Sequence, residues 1–163
     1  QPAVKIIHML ADIVSKNGCL LLNIPLRPNG SLDAAEESFL AEFSEWMTVN
    51  GEAIYSTRPW KRYGEGPTQT ESGGFAEQKA KPYTTKDLRF TSKGDVLYAI
   101  CLGVPERELV ITSLPGAKPA KVEMLGMPGT LKASASDGGL VVSMPERKPC
   151  RHAVSLRITG WKG

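Results

Sequence analysis

The chain has 163 residues, 41% hydrophobic and 23% charged, with 20 Lys and Arg against 17 Asp and Glu for a formal net charge of +3, a composition ordinary for a globular protein and outside any disordered class. Basic residues are scattered among acidic ones without a run of one sign, which argues against a nucleic-acid partner, since that would require a clustered basic face. No apolar run reaches the ~18 residues needed to cross a bilayer, which leaves no membrane-spanning helix to expect.

The chain starts at Gln1 and enters a helix almost at once, so we read it as a fragment in which any signal sequence of the parent is not visible. Three cysteines, Cys19, Cys101 and Cys150, are an odd number without metal-type spacing. Cys19 is expected to pack as a small hydrophobe, and whether Cys101 and Cys150 pair stays open.

Pro2 suits the first turn of a helix, and Ile6, Ile7, Leu10, Ile13 and Val14 recur at helical spacing. Gly18 is expected to end this helix in a left-handed conformation. His8, beside the apolar stripe, reads as a partly buried structural histidine. Cys19 to Ile24 is a short apolar run of the kind that forms a strand buried on both faces. Asn23 stands at its end, where a βα barrel gathers its chemistry, although an asparagine there also shapes loops by bonding nearby backbone. Leu26 to Ser31 carries turn residues. Asp33 with Glu36 is a capping box opening a second helix, whose Phe39, Leu40, Phe43, Trp46 and Met47 share one face and which ends at Asn50-Gly51.

From Glu52 to Tyr83 the pattern is irregular, and a connection this long is usually functional or mobile. Arg58, Trp60, Tyr63 and Glu65 are residue types that could hold a sugar, by stacking and by hydroxyl hydrogen bonds. Trp60 could equally anchor the loop on the part that follows. The remainder reads as strands. Leu88 to Thr91 and Val96 to Leu102 form a hairpin across Ser92-Lys93-Gly94-Asp95. Further strands are expected at Leu109–Ser113, Lys121–Leu125, Thr130–Ala135, Leu140–Ser143 and Ala153–Ile158, separated by turn chemistry. This spacing suggests an antiparallel sandwich. His152, just before the last strand, is expected at the surface.

Taken in this order, SKNGCLLLNIP (15–25), NGEAIYSTRPW (50–60), YGEGP (63–67), YTTKDLRFTSKGDVLYAI (83–100) and MLG (124–126) resemble the C-terminal part of bacterial α-L-fucosidases, glycoside hydrolase family 29. The resemblance runs from about His8 to Ile158. One departure is Cys19, where relatives commonly carry asparagine. The family implies a (β/α)8-like catalytic barrel followed by a C-terminal β-sandwich. The expected fold class is therefore an α/β fragment, the last helices and strand of that barrel, followed by an all-β sandwich. Residues 1–83 would hold the barrel end and connecting loop, and 84–163 the sandwich.

Retaining glycosidases need two carboxyl groups about 5 Å apart, and the family places both upstream of the SKNG motif. Glu52, Glu65 and Asp87 are the carboxylates worth naming here, and a single strand end cannot present an acidic pair across a pocket. No catalytic residue is therefore assigned. Asn23, Arg58, Trp60 and Glu65 are the substrate-binding candidates, with no metal or organic cofactor expected. The resemblance implies a parent enzyme that removes terminal α-linked L-fucose from glycans, periplasmic or secreted, with this fragment inactive alone. Its expected partners are the fucosylated glycan, the missing N-terminal barrel portion and, as an open question, further copies of itself. The alternative is a non-catalytic carbohydrate-binding or oligomerisation sandwich, a reading weakened by the poverty of aromatics after Tyr98, where only Trp161 remains.

Overall fold

Alternating apolar residues in the second half of the chain demand two sheets packed face to face, and that is the arrangement found in a computed structural model, which describes residues 2–68 and 82–161. The strands are β1 (Arg58–Glu65), β2 (Leu88–Lys93), β3 (Val96–Cys101), β4 (Glu108–Ile111), β5 (Lys121–Met124), β6 (Ala133–Ser136), β7 (Gly139–Ser143) and β8 (Val154–Thr159). They form a five-stranded sheet in the order β1-β2-β3-β8-β5 and a three-stranded sheet in the order β4-β7-β6. Every pairing is antiparallel. The expected hairpin is β2–β3, with Phe90 opposite Ala99 and its turn carried by Gly94 at φ 56.

Leu88, Phe90, Leu97, Ala99, Cys101, Val122, Met124, Val154, Leu156 and Ile158 of the larger sheet meet Leu109, Ile111, Leu140 and Val142 of the smaller one in a single core. The larger sheet is covered on its other face as well. Tyr98, Ile100 and Leu102 point to a second core built with Ile6, Ile7 and Leu10 of helix α1 (Ala3–Ser15) and Phe39 and Trp46 of helix α2 (Ala34–Asn50). Trp46 is buried, and its indole N–H donates to the Ala153 carbonyl at 2.9 Å, so one side chain packs the helix and satisfies its own polar atom. The result is three layers, helices on a large sheet on a small sheet.

The helix ends follow local chemistry. Asp33 caps α2 by accepting from the Glu36 N–H at 2.9 Å, as expected. At the end of α1, Asn17 rather than Gly18 takes the left-handed conformation, at φ 68. The Asn17 N–H donates to the Val14 carbonyl and the Gly18 N–H to Ile13, a Schellman ending with asparagine in the glycine place. Gly18 is required for a different reason: a Cβ there would lie 2.7 Å from Cγ2 of Ile13.

Four expectations need correction. Cys19 to Ile24 is not a strand: no residue of 19–26 takes part in a backbone-to-backbone hydrogen bond among the described residues, and Cys19 is exposed. Leu20, Leu22 and Ile24 lean on the helix-side core while Leu21 is 95% exposed, so the chain supplies cover for one face only. The stretch from Glu52 to Tyr83 is not wholly irregular, because β1 pairs with β2 as an edge strand through a bulge between Pro59 and Gly64. β1 and β2, which lie on either side of the division expected between 83 and 84, pair in one sheet. The polar stretch through Ser72-Gly73-Gly74 lies outside the described residues. His152 is half-buried rather than exposed, with its Nε2 3.0 Å from Glu42.

Cys101 and Cys150 are both free thiols. Cys101 faces the inter-sheet core and Cys150 the helix side, so the larger sheet stands between them. Burial pushes the Cys101 thiol up to about 12, which leaves it an inert core residue.

Candidate functional site

Where the last turn of α1 meets β1 and β2, polar side chains converge on a cleft of about 360 Å³ lined by Lys16, Tyr63, Gly64, Glu65, Gly66, Thr68 and Arg89. Arg89 lies in a strand whose neighbours Leu88 and Phe90 face the inter-sheet core, so its own side chain is turned toward the helices. There Arg89 Nε donates to Asp12 Oδ1 at 2.5 Å, Nη1 to the Leu88 carbonyl at 2.9 Å and Nη2 to the Tyr83 hydroxyl at 3.4 Å. Lys16, one turn after Asp12, pairs with its other oxygen at 2.8 Å. Two cations thus share one carboxylate. The Lys16 ammonium also lies 4.8 Å from the centre of the Tyr63 ring, and the Arg89 guanidinium 5.2 Å from that of Tyr83. Asp12 and Arg89 are both buried, so this is a desolvated pair whose geometry holds α1 against the sheet.

Asp87 closes the same region. Its carboxylate accepts from the backbone N–H and hydroxyl of both Thr84 and Thr68, at 2.7 to 2.9 Å. Burial alone would push the carboxyl up, but these donors together hold it below its ordinary 3.8, the behaviour of a carboxylate hydrogen-bonded in its charged form. Its place at the entry to β2 is structural. His8 is also structural: burial lowers its pKa below 6.5 despite the hydrogen bond its Nε2 makes to the His152 carbonyl at 3.3 Å, and its ring stands edge-on to Tyr83.

The four residues singled out as sugar contacts are not brought together. Glu65 lines the cleft, but both its oxygens accept from backbone, the Thr112 N–H at 2.8 Å and the Ser113 N–H at 2.6 Å. Trp60 anchors β1, edge-on to Phe90 at 5.2 Å and to Trp161 at 5.4 Å, which is the second of the two readings left open. Arg58 keeps its side chain exposed while its carbonyl accepts from Ser92. Asn23 is exposed on the unpaired stretch.

Of the carboxylates named from the sequence, Glu52 is joined to Glu123 through Arg157, which donates to both at 3.4 and 2.8 Å, and it also accepts from the Tyr98 hydroxyl at 2.8 Å. Among the described residues no group of three or more His, Cys, Asp or Glu side chains could hold a metal ion. Sequence reasoning passed over Asp12 and Arg89. The signal was present: a charge inside each of two buried apolar patterns, which is tolerated only with a partner.

Residues 1–52 match the family model for alpha-L-fucosidase, and residues 80–159 match that for the alpha-L-fucosidase C-terminal domain. The chain belongs to the alpha-L-fucosidase family. It is 32% identical over 161 residues to the alpha-L-fucosidase of Branchiostoma floridae, covering 95% of this chain and 32% of that one. It is also 32% identical over 164 residues to human tissue alpha-L-fucosidase, covering 97% of this chain and 32% of the relative. Among solved structures, Thermotoga maritima alpha-fucosidase superposes with a TM-score of 0.76 at 24% identity over 98% of this chain and 35% of the other, which supports the fold. The chain therefore spans about a third of the length of its relatives, and it covers the C-terminal domain of an alpha-L-fucosidase.

This placement accounts for the poverty of chemistry in the cleft. Its charges are engaged with one another or with backbone, and a second hollow of about 550 Å³, between Val104, Arg107, Met144 and Lys148, is no better equipped. Lys148 Nζ there donates to the carbonyls of Pro145 and Glu106, and no aromatic ring lines that hollow.

Proposed function

We propose that the parent enzyme, of bacterial type and acting in the periplasm or outside the cell, hydrolyses terminal α-linked L-fucose on glycans by a retaining mechanism. In such a reaction one carboxylate attacks the anomeric carbon while a second carboxyl protonates the leaving oxygen. The second group then activates water to release the sugar. Both acids belong, on this reading, to the upstream two-thirds of the protein. The present chain contributes the end of the barrel and the supporting sandwich, and does not turn over substrate by itself.

The observation that carries this reading is the stretch from Cys19 to Leu26: extended, with alternate residues turned to the core, and without backbone partners among the described residues. An apolar segment in that condition fits the place of a strand in a parallel sheet whose neighbours come from another part of the chain. Asn23 would then stand at the C-terminal mouth of the barrel and is the one residue here that we assign to the sugar.

The test is an assay of the isolated 163 residues on an aryl α-L-fucoside, alone and mixed with the separately produced upstream portion. No saturable turnover alone and recovery on mixing is the expected result; saturable turnover by the isolated chain would overturn it. The rival reading, a glycan-binding module using Trp161, is disfavoured by the packing of that ring against Trp60. Glycan binding lost in Trp161→Ala with the fold retained would restore it.

A further inference from the structure

The sequence contains one triplet in which a hydroxyl residue stands two places after an asparagine without an intervening proline, Asn29-Gly30-Ser31. Asn17, Asn23 and Asn50 are followed instead by Gly18-Cys19, Ile24-Pro25 and Gly51-Glu52. The triplet sits in the loop between the unpaired stretch and α2, where every residue from Pro25 to Ser31 is exposed.

Its conformation is specific. The Gly30 N–H donates to the Arg27 carbonyl at 2.8 Å, and the Arg27 N–H to the Ser31 carbonyl at 2.8 Å, closing a tight loop. Gly30 takes φ +82 with nothing within 4 Å of where a Cβ would stand, so the loop is open to solvent on that side. The Ser31 hydroxyl donates to Asn29 Oδ1 at 2.8 Å and the Ser31 N–H to the same oxygen at 3.1 Å. These two donors identify Oδ1 as the oxygen and turn Nδ2 away from the loop, with no hydrogen-bond partner for Nδ2 among the described residues. The acceptor nitrogen is therefore presented outward by a hydroxyl and a backbone N–H that both hold its own carbonyl.

We infer that Asn29 is an acceptor site for an N-linked glycan. In the transfer, Nδ2 attacks the anomeric carbon of an oligosaccharide carried on a polyprenyl pyrophosphate. The new C–N bond forms as the C–O bond to pyrophosphate breaks, the lipid pyrophosphate leaves with the bonding pair, and Nδ2 gives up one proton. The glycan would stand three residues after Leu26, in a loop that is exposed throughout in this chain. Occupancy in the native source rests on the secreted placement proposed above, whereas competence as an acceptor does not.

The experiment separates the two. The 163-residue chain, given a secretion leader, is translated in the presence of endoplasmic-reticulum microsomes and examined before and after peptide-N-glycosidase F. One glycan-sized upward shift is expected, removed by the glycosidase with conversion of Asn29 to aspartate. It should be absent in Asn29→Gln and Ser31→Ala and kept in Ser31→Thr. Because transfer is read during synthesis, a variant that misfolds is still scored. No shift, or a shift that survives Asn29→Gln, overturns the inference. A microsomal shift together with an unmodified Asn29 in protein from the native source would overturn native occupancy and leave the acceptor site standing.

Discussion

Strand β3 and the stretch from Cys19 to Leu26 are both apolar, and each turns alternate residues to opposite sides, yet they end in opposite conditions. β3 is hydrogen-bonded to β2 on one side and β8 on the other. It sends Leu97, Ala99 and Cys101 into one core and Tyr98 and Ile100 into another. The earlier stretch has one core and no ladder. An apolar run thus reports how much cover a segment needs, not whether the cover lies in the same chain. The difference between the two regions teaches which apolar runs this chain pairs into a ladder and which it packs on one side only.

The comparison breaks most severely at the joint between the helices and the larger sheet. Arg89→Met leaves the Asp12 carboxylate buried with only Lys16, and should cost about 3–5 kcal/mol in urea unfolding. The double variant Asp12→Leu with Arg89→Met should recover most of that, since an apolar pair of similar volume removes the unpaired charge. A double variant as unstable as the single one would mean that the joint depends on packing rather than charge.

Within β8, Leu156→Ala removes a fully buried side chain from the inter-sheet core and should cost about 2–5 kcal/mol, the spread reflecting how far the site can collapse. Asp87→Asn should cost less, about 1–3 kcal/mol at neutral pH, through poorly matched donors around the new amide. The pH dependence identifies the cause. Asp87 titrates below its ordinary 3.8 in the folded chain, so its charged form stabilises the fold above that value, and the contribution is lost as pH falls through the depressed folded pKa. Wild type should therefore approach the variant in strongly acidic solution. A constant gap across the acid range would show that Asp87 acts by shape alone.

How much of this was legible beforehand follows from the same contrast. Most strands from Leu88 on were readable because they carry buried apolar residues and are bounded by turn residues, whereas β6 is exposed throughout and begins three residues later than expected; both helices were readable from their stripes and the Asp33 cap. β1 was not. Arg58-Pro59-Trp60-Lys61-Arg62-Tyr63 has no apolar alternation, because an edge strand with a mostly exposed surface needs none, and Pro59 is the kind of residue such an edge tolerates. The α1 ending was assigned to the wrong residue because glycine is the commoner left-handed terminator, while in this chain Gly18 answers a steric demand from Ile13. The family was legible from motifs in order, but the sugar contacts were not. Trp60 and Glu65 carry suitable chemistry, and nothing in one dimension shows that the sandwich already uses both.

The smallest effect is the most discriminating, because it repeats the Leu156 deletion where the opposite outcome is expected. Leu21→Ala removes the same atoms from a side chain that is 95% exposed, so in the isolated chain it should change stability by less than about 0.5 kcal/mol. In the full-length protein the same substitution should cost about 2 kcal/mol or more if upstream strands cover that face, because the side chain is then buried and its removal leaves a cavity. Urea unfolding of both lengths, with and without the substitution, measures the difference directly. Equal small effects in the two contexts would mean that the outer face of the stretch stays in water throughout, and the proposal that it completes a barrel would fall with them.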